Sequence, residues 1–319
     1  NFARLYKGGQ ALAVHAVATP YRERSHFDGQ DVLESGQPGP GLNATGWLNR
    51  LVECLPAGEA VRRQACLGVG AVAPLIVRGP APVMGWAPAI FPRASEDTAM
   101  RLLDLYAASD AALAAALQSG LDTGKLALNG GADAAMPGQG GGQAGADNPK
   151  GMARIAEGAA RIMAAPGGPR IAALALDGWD THAREGGATG RLAALLGGLD
   201  SAFAAFERNL QPCWKDTAIL VVTEFGRTAR INGTAGTDHG TGTVAFLVGG
   251  AVKGGRVIAD WPGLKDAQLY QGRDLKPTTD LRAVAKGVLA DLYGVSAAAL
   301  SEHVFPASSG VKPMQGLIG

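Results

Sequence analysis

Apolar positions along the chain switch between two spacings. From Ala11 to Ala18 the run ALAVHAVA is short, apolar and bounded by Gly8-Gly9 and Thr19-Pro20, the pattern of a strand buried on both faces. After a polar turn, S-H-F-D offers Ser25 as a cap with Asp28 three residues on, which predicts a helix opening at Ser25, closed by a capping box and stopped at Gly36. Residues 45–55 and 95–121 repeat apolar side chains near every 3.6 positions and read as two amphipathic helices. Between them, GVGAVAPLIVRG and PVMGWAPAIFP mix Pro with β-branched residues and predict short strands around an irregular excursion. The stretch 130–151 is too rich in Gly to pack and reads as a mobile surface loop within one domain.

The second half repeats a simpler alternation. It predicts a helix over 150–165, a strand over 170–176 (RIAALAL), a helix over 189–210 and a strand over 217–223 (TAILVVT). A loop-rich segment then leads to a strand over 243–249, a small GGAVKGG hairpin and a helix over about 279–293. Apolar strands alternating with helices imply an α/β fold, a mostly parallel sheet covered on both faces, in a single domain spanning 1–319. A strand whose loop runs into a helix opened by a hydroxyl residue is where such folds commonly place chemistry.

Composition narrows the classes of function. Apolar residues make up 47% of the chain, enough for a sizeable core. Lys plus Arg number 29 against 28 Asp plus Glu, and a net charge of +1 gives no field to recruit nucleic acid. No apolar run approaches the roughly 18 to 20 residues needed to span a bilayer. Cys54, Cys66 and Cys213 form no CxxC pair, which argues against a zinc knuckle and leaves a Cys54–Cys66 bridge as an option. The chain opens on Asn1 and FARLYKGGQ, which reads as the last turns of a helix in an N-terminally incomplete chain.

Metal-type ligands concentrate beside three of the predicted strands. DGWDTH carries Asp177, Asp180 and His182 after strand 170–176; TEFGRT carries Glu224 and Arg227 after strand 217–223; GTDHGTGT sets Asp238 beside His239 just before strand 243–249. Carboxylates mixed with imidazoles suit zinc, manganese or iron better than calcium or magnesium. Each fragment alone has a plainer reading: a turn with a solvated imidazole, a turn aspartate, a surface ion pair. Convergence at one sheet edge is what favours a metal site.

RSHFDGQD (24–31), DGWDTH (177–182) and TEFGRTARINGTAGTDHGTGT (223–243) together resemble an uncharacterised bacterial exported family placed in the alkaline phosphatase and sulfatase-like superfamily. The likeness covers nearly the whole chain. It implies an alkaline-phosphatase-like fold whose first strand precedes Asn1, with Asp180 and His182 supplying one metal and Glu224, Asp238 and His239 completing the cluster. Ser25 occupies the nucleophile's place, where a helix start favours an anionic ester, although a plain N-cap would look the same. His26 is read as a substitute ligand, a proton donor or an exposed second-turn residue, and Arg227 as an anion clamp or a surface salt bridge. Glu224-Phe225 stands where characterised phosphatases of the superfamily carry an Asp-His pair, which removes one imidazole. Export by a twin-arginine signal is also implied, placing the protein in the periplasm or outside the cell.

The expected activity is metal-dependent hydrolysis of a small anionic phosphate or sulfate ester, with zinc the first choice of ion and manganese, iron, magnesium or calcium also compatible. A binding or assembly protein keeping the fold and at most one structural metal is the alternative.

Overall fold

The computed structural model describes residues 1–41, 43–55, 66–70, 72–88, 96–132 and 148–319. The predicted mobile loop at 130–151 lies largely outside the described residues. A short helix α1 (Phe2–Lys7) precedes β1 (Ala11–Ala18), and α2 (His26–Ser35) and α3 (Trp47–Cys54) follow. Next come β2 (Cys66–Val69), β3 (Val83–Trp86), α4 (Glu96–Ser109), α5 (Ala111–Asn129), α6 (Pro149–Ala164), β4 (Ile171–Leu174) and α7 (Arg191–Asn209). The chain finishes with β5 (Ile219–Val221), β6 (Thr243–Val248), β7 (Arg256–Ile258), β8 (Thr279–Asp280), α8 (Leu281–Tyr293) and a π-helical turn Leu300–Val304.

The α/β class holds, but the strands form two sheets among the described residues. One runs β3-β2-β4, all parallel; the other runs β5-β6-β1-β7, with β8 also on β1. This second sheet is mixed, because β6 lies antiparallel to both β1 and β5 while β7 and β8 lie parallel to β1. The reason is in the connection: no helix occupies 222–242, so β5 and β6 are joined without the helical crossover that a parallel pair requires. GGAVKGG is likewise not a hairpin. It carries the chain across the start of β1, from β6 on one side to β7 on the other. The backbone approaches so closely that a Cβ on Gly254 would lie 2.3 Å from the Ala11 carbonyl oxygen, a position only Gly can fill.

Successive residues of β1 point to opposite faces, and both faces are covered. Leu12 and Val14 pack with Leu247, Val284 and Val288 against α8, whereas Ala11 and Val248 join Phe203 and Phe206 of α7. The predicted single helix over 95–121 is two helices, because Asp110 breaks it: its carboxylate accepts from the N–H groups of Ala112 (2.9 Å) and Leu113 (3.1 Å) and caps α5. Cys54, Cys66 and Cys213 are free thiols, so the Cys54–Cys66 bridge is not made. Burial pushes the Cys66 thiol up to about 12, leaving it inert. Among the described residues no helix is long and apolar enough to cross a membrane.

Two buried cations tie the C-terminal segment to the frame, neither in a salt bridge with a carboxylate among the described residues. Arg50 of α3 donates to the carbonyls of His303 (2.9 Å), Val304 (2.8 Å), Thr45 (2.8 Å) and Ser35. Lys286 of α8, fully buried, donates to Ser301 Oγ (2.9 Å) and to the carbonyls of Ser308 (2.8 Å) and Val311 (2.9 Å). Burial, with a smaller push from Arg282, lowers its pKa to about 8.

Arg50→Lys should lower unfolding free energy by about 2 kcal/mol or more in a urea titration, since one ammonium cannot reach carbonyls on three sides. For Lys286 the unfolded chain binds more protons between about pH 8 and 10.5, so its contribution to stability rises with pH across that window. Wild type should therefore gain stability relative to Lys286→Met as pH increases from 8 to 10.5; parallel pH profiles would refute the assignment.

Candidate functional site

The antiparallel run of β6 brings its start to the edge where β1 and β5 end, and the loop after β4 arrives there from the other sheet. Four sequence segments meet at that edge. His26 opens α2, Asp180 and His182 follow β4, Glu224 follows β5, and His239 precedes β6. His26, Asp180 and His239 each offer a donor atom within 4.8 Å of the others. His182 joins them: its Nε2 lies 3.0 Å from Asp180 Oδ1 and 3.0 Å from His239 Nε2.

Each ring is oriented in the same way. His26 Nδ1 faces Glu224 Oε1 at 2.6 Å, His182 Nδ1 faces Asp238 Oδ1 at 3.2 Å, and His239 Nδ1 faces the carbonyl oxygen of Arg24 at 3.0 Å. A carbonyl oxygen only accepts, so His239 carries its proton on Nδ1; the carboxylates favour the same tautomer in the other two rings. All three Nε2 atoms then face inward. They meet Asp180, with His26 Nε2 at 3.2 Å from Oδ2 and His239 Nε2 at 3.1 Å from Oδ1.

Asp180 is held ionised. Burial pushes its carboxyl up, but hydrogen bonds from Arg227 and His26 and the nearby His182 and His239 outweigh that and bring it to about 2. Arg227 donates through Nη1 to Asp180 Oδ1, through Nε to Thr237 Oγ1 (3.0 Å) and through Nη2 to the Thr237 carbonyl. All three of its nitrogens are engaged, so it serves the carboxylate and the loop ahead of any ligand. Phe225 is buried beneath the rings, with its centroid 4.9 Å from those of both His26 and His239. Where the resemblance expects an Asp-His pair, the chain has an apolar floor.

Ser25 is the residue before α2, in extended backbone, and makes no side-chain cap bond. The predicted capping box is absent, because Asp28 accepts from Tyr21 Oη (3.2 Å), which in turn accepts from the Ser25 N–H (3.2 Å). Among the described residues the Ser25 hydroxyl has no hydrogen-bond partner, and it stands beside His26 in the chain. Asp177, the remaining acid of DGWDTH, is exposed.

Several residues that shape this edge have weak signals in the sequence. Asn232 donates to the His182 carbonyl (2.9 Å) and to Asp238 Oδ1 (2.9 Å) while accepting from the N–H groups of Thr234 (2.9 Å) and Gly236 (3.0 Å); the Asn-Gly dipeptide was its only trace. Hydrogen bonds from Asn232 and His182 lower the pKa of Asp238. Glu185 accepts from Thr181 (3.0 Å) and Thr237 (2.6 Å), linking the DGWDTH loop to the loop that holds Arg227. The ribbon around residues 226 and 242 is tight enough that a Cβ on Gly226 would lie 1.8 Å from the Gly242 carbonyl oxygen.

Arg24, whose carbonyl orients His239, has φ of 64°, a left-handed conformation unfavourable for a residue with a Cβ. Its side chain holds it there: Nε donates to Asp274 Oδ2 (2.7 Å) and Nη2 to Gln271 Oε1 (2.6 Å). Asp274 is fully buried and also receives Arg273 Nη1 at 3.1 Å. Asp274→Ala, which strands Arg24 without its carboxylate, should cost about 3 kcal/mol in chemical unfolding; an unchanged midpoint would mean that the pair does not hold the turn.

No curated protein and no solved structure matches the chain. A family model described as "Protein of unknown function (DUF1501)" matches residues 10–304, from the residue before β1 to the last residue of the π-helical turn. The match takes in every segment that meets at the site, and the chain belongs to the DUF1501 family.

Proposed function

We propose that the protein is a metal-dependent hydrolase of phosphate or sulfate esters. The observation that carries this reading is the convergence of three imidazole Nε2 atoms on one ionised carboxylate, each ring fixed from behind by an acceptor on Nδ1. Three nitrogens and one oxygen are a donor set suited to zinc. Tetrahedral donors about 2.0 to 2.1 Å from an ion lie roughly 3.3 Å apart. The contacts of the three rings with Asp180, 3.0 to 3.2 Å, are close to that, and His26, Asp180 and His239 form the compact group, with His182 reaching Asp180 Oδ1 and His239 from one side.

In this reading His26, His182, His239 and Asp180 are the ligands. Glu224 and Asp238, grouped with the ligands from sequence, act as outer partners that set ring tautomer and direction, as the Arg24 carbonyl does. A bound divalent ion would supply positive charge beside the ester oxygens and favour an ionised hydroxyl. The N-terminus of α2, ten residues long, adds unpaired N–H groups and the positive end of the helix dipole, both suited to an anionic ester.

Ser25 is the nucleophile. Its Oγ forms a bond to phosphorus or sulfur as the ester oxygen departs with a proton as the free alcohol, and water then cleaves the seryl ester and restores the hydroxyl. The likeness of the three motifs to the alkaline phosphatase and sulfatase-like superfamily supports the same chemistry, and with it export to the periplasm or beyond.

A binding or assembly protein with one structural metal is favoured by two contacts: Arg227 on Asp180, and Phe225 against the rings in the place of a ligand histidine. One experiment separates the readings. His239→Ala should lose metal by elemental analysis and lose hydrolysis of chromogenic phosphate, phosphodiester or sulfate esters together. Retained metal with unchanged turnover defeats the hydrolase; metal present in wild type with every ester inert favours the binding protein.

A further inference from the structure

Below α2 and away from the rings, the end of β1, α2 and α8 border a small, partly open pocket of about 20 Å³. Its wall is apolar, with Val32, Leu33, Val222 and Phe305 among the lining residues, except for Thr19 and Arg282. Two atoms of that pair, Thr19 Oγ1 and Arg282 Nη1, are buried and make no hydrogen bond. Thr19 is only 4% exposed. Parallel pairing of Ala18 with Asp280 sets Thr19 beside the first turn of α8, where Arg282 spends Nε (3.1 Å) and Nη2 (2.7 Å) on Asp280. Nη1 is therefore its one uncommitted nitrogen.

The charges around the cavity do not cancel. Arg22, whose Nη1 donates to the carbonyls of Thr19 and Tyr21 (2.8 Å), has no carboxylate partner among the described residues. Burial lowers its pKa, and Arg282 and Asp280 both act on it. Among the described residues Arg282, which lines the pocket, and Arg22, which lies close enough to interact with it, thus share the one carboxylate of Asp280, and the N-terminus of α8 adds positive potential. A water molecule would accept from Arg282 but find few acceptors for its own two hydrogens in an apolar wall. A halide accepts from both groups and donates nothing, and the pocket has room for a monatomic guest.

We propose that this cavity is a chloride site in which Arg282 Nη1–H and the Thr19 hydroxyl both donate to one bound ion. The ion joins the end of β1 to the first turn of α8 and completes the neutralisation of Arg22 and Arg282.

Thermal unfolding in sodium chloride or bromide, against sodium gluconate at equal ionic strength, should show a midpoint that rises and saturates with halide. Thr19→Val should lose that rise and Thr19→Ser keep it. Crystals of the wild-type protein soaked in bromide should give an anomalous peak between Thr19 and Arg282, a result that needs no variant to fold and no ester to be cleaved. A halide-independent midpoint, an ordered water at the position, or a bromide peak without any effect on the midpoint (binding at crystal concentration only) would each overturn the proposal.

Discussion

The antiparallel register of β6 on β1 is the constraint on which the rest of the site depends. Pairing of Val17 with Thr243 puts the end of one strand beside the start of the other, so that the residues after β1 and those before β6 emerge on the same side. Reversing β6 would send His239 to the far edge of the sheet, some 20 Å away at about 3.3 Å per residue. Six residues of β6 therefore decide whether His26 and His239 meet at all.

Once the edge is assembled, its precision comes from groups behind the rings. Glu224, Asp238 and the carbonyl of Arg24 each take one imidazole hydrogen, and the last of these depends on a left-handed turn anchored by a fully buried carboxylate. The local cost is met by strong, charge-assisted bonds a few residues away. Arg50 and Lys286 follow the same logic in the frame, where cations organise loops by gathering carbonyl oxygens. The molecule thus relies on buried positive charge satisfied by backbone as much as on salt bridges.

The sequence was most legible where periodicity was strong. The limits of β1 and α2, the helices around 150–165, 189–210 and 279–293, and the meeting of Asp180, His182 and His239 at one edge all follow from local pattern. Strand direction was less legible because the evidence lay in a missing helix over 222–242, not in the strands themselves. That Glu224 and Asp238 lie behind the His26 and His182 rings could not be read in advance, since a carboxylate in front of a ring and one behind it have the same spelling. Asp110, preceded by Ser109 and followed by an apolar run, did carry an N-cap signal that splits the 95–121 helix. Arg24 and Asp274 had none, being separated by 250 positions with an arginine in a turn that usually belongs to Gly or Asn.

The position of β1 also sets a schedule for biosynthesis. This apolar central strand is finished at residue 18, yet its three neighbours begin at residues 243, 256 and 279. At about 5 to 20 residues per second, a ribosome needs roughly 10 to 45 s to produce the first of them. Throughout that interval ALAVHAVA has no native edge to pair with and is open to pairing with any exposed strand nearby. Newborn chains of this protein are accordingly expected to depend on holdase chaperones, and crowded overexpression to favour inclusion bodies over the native fold.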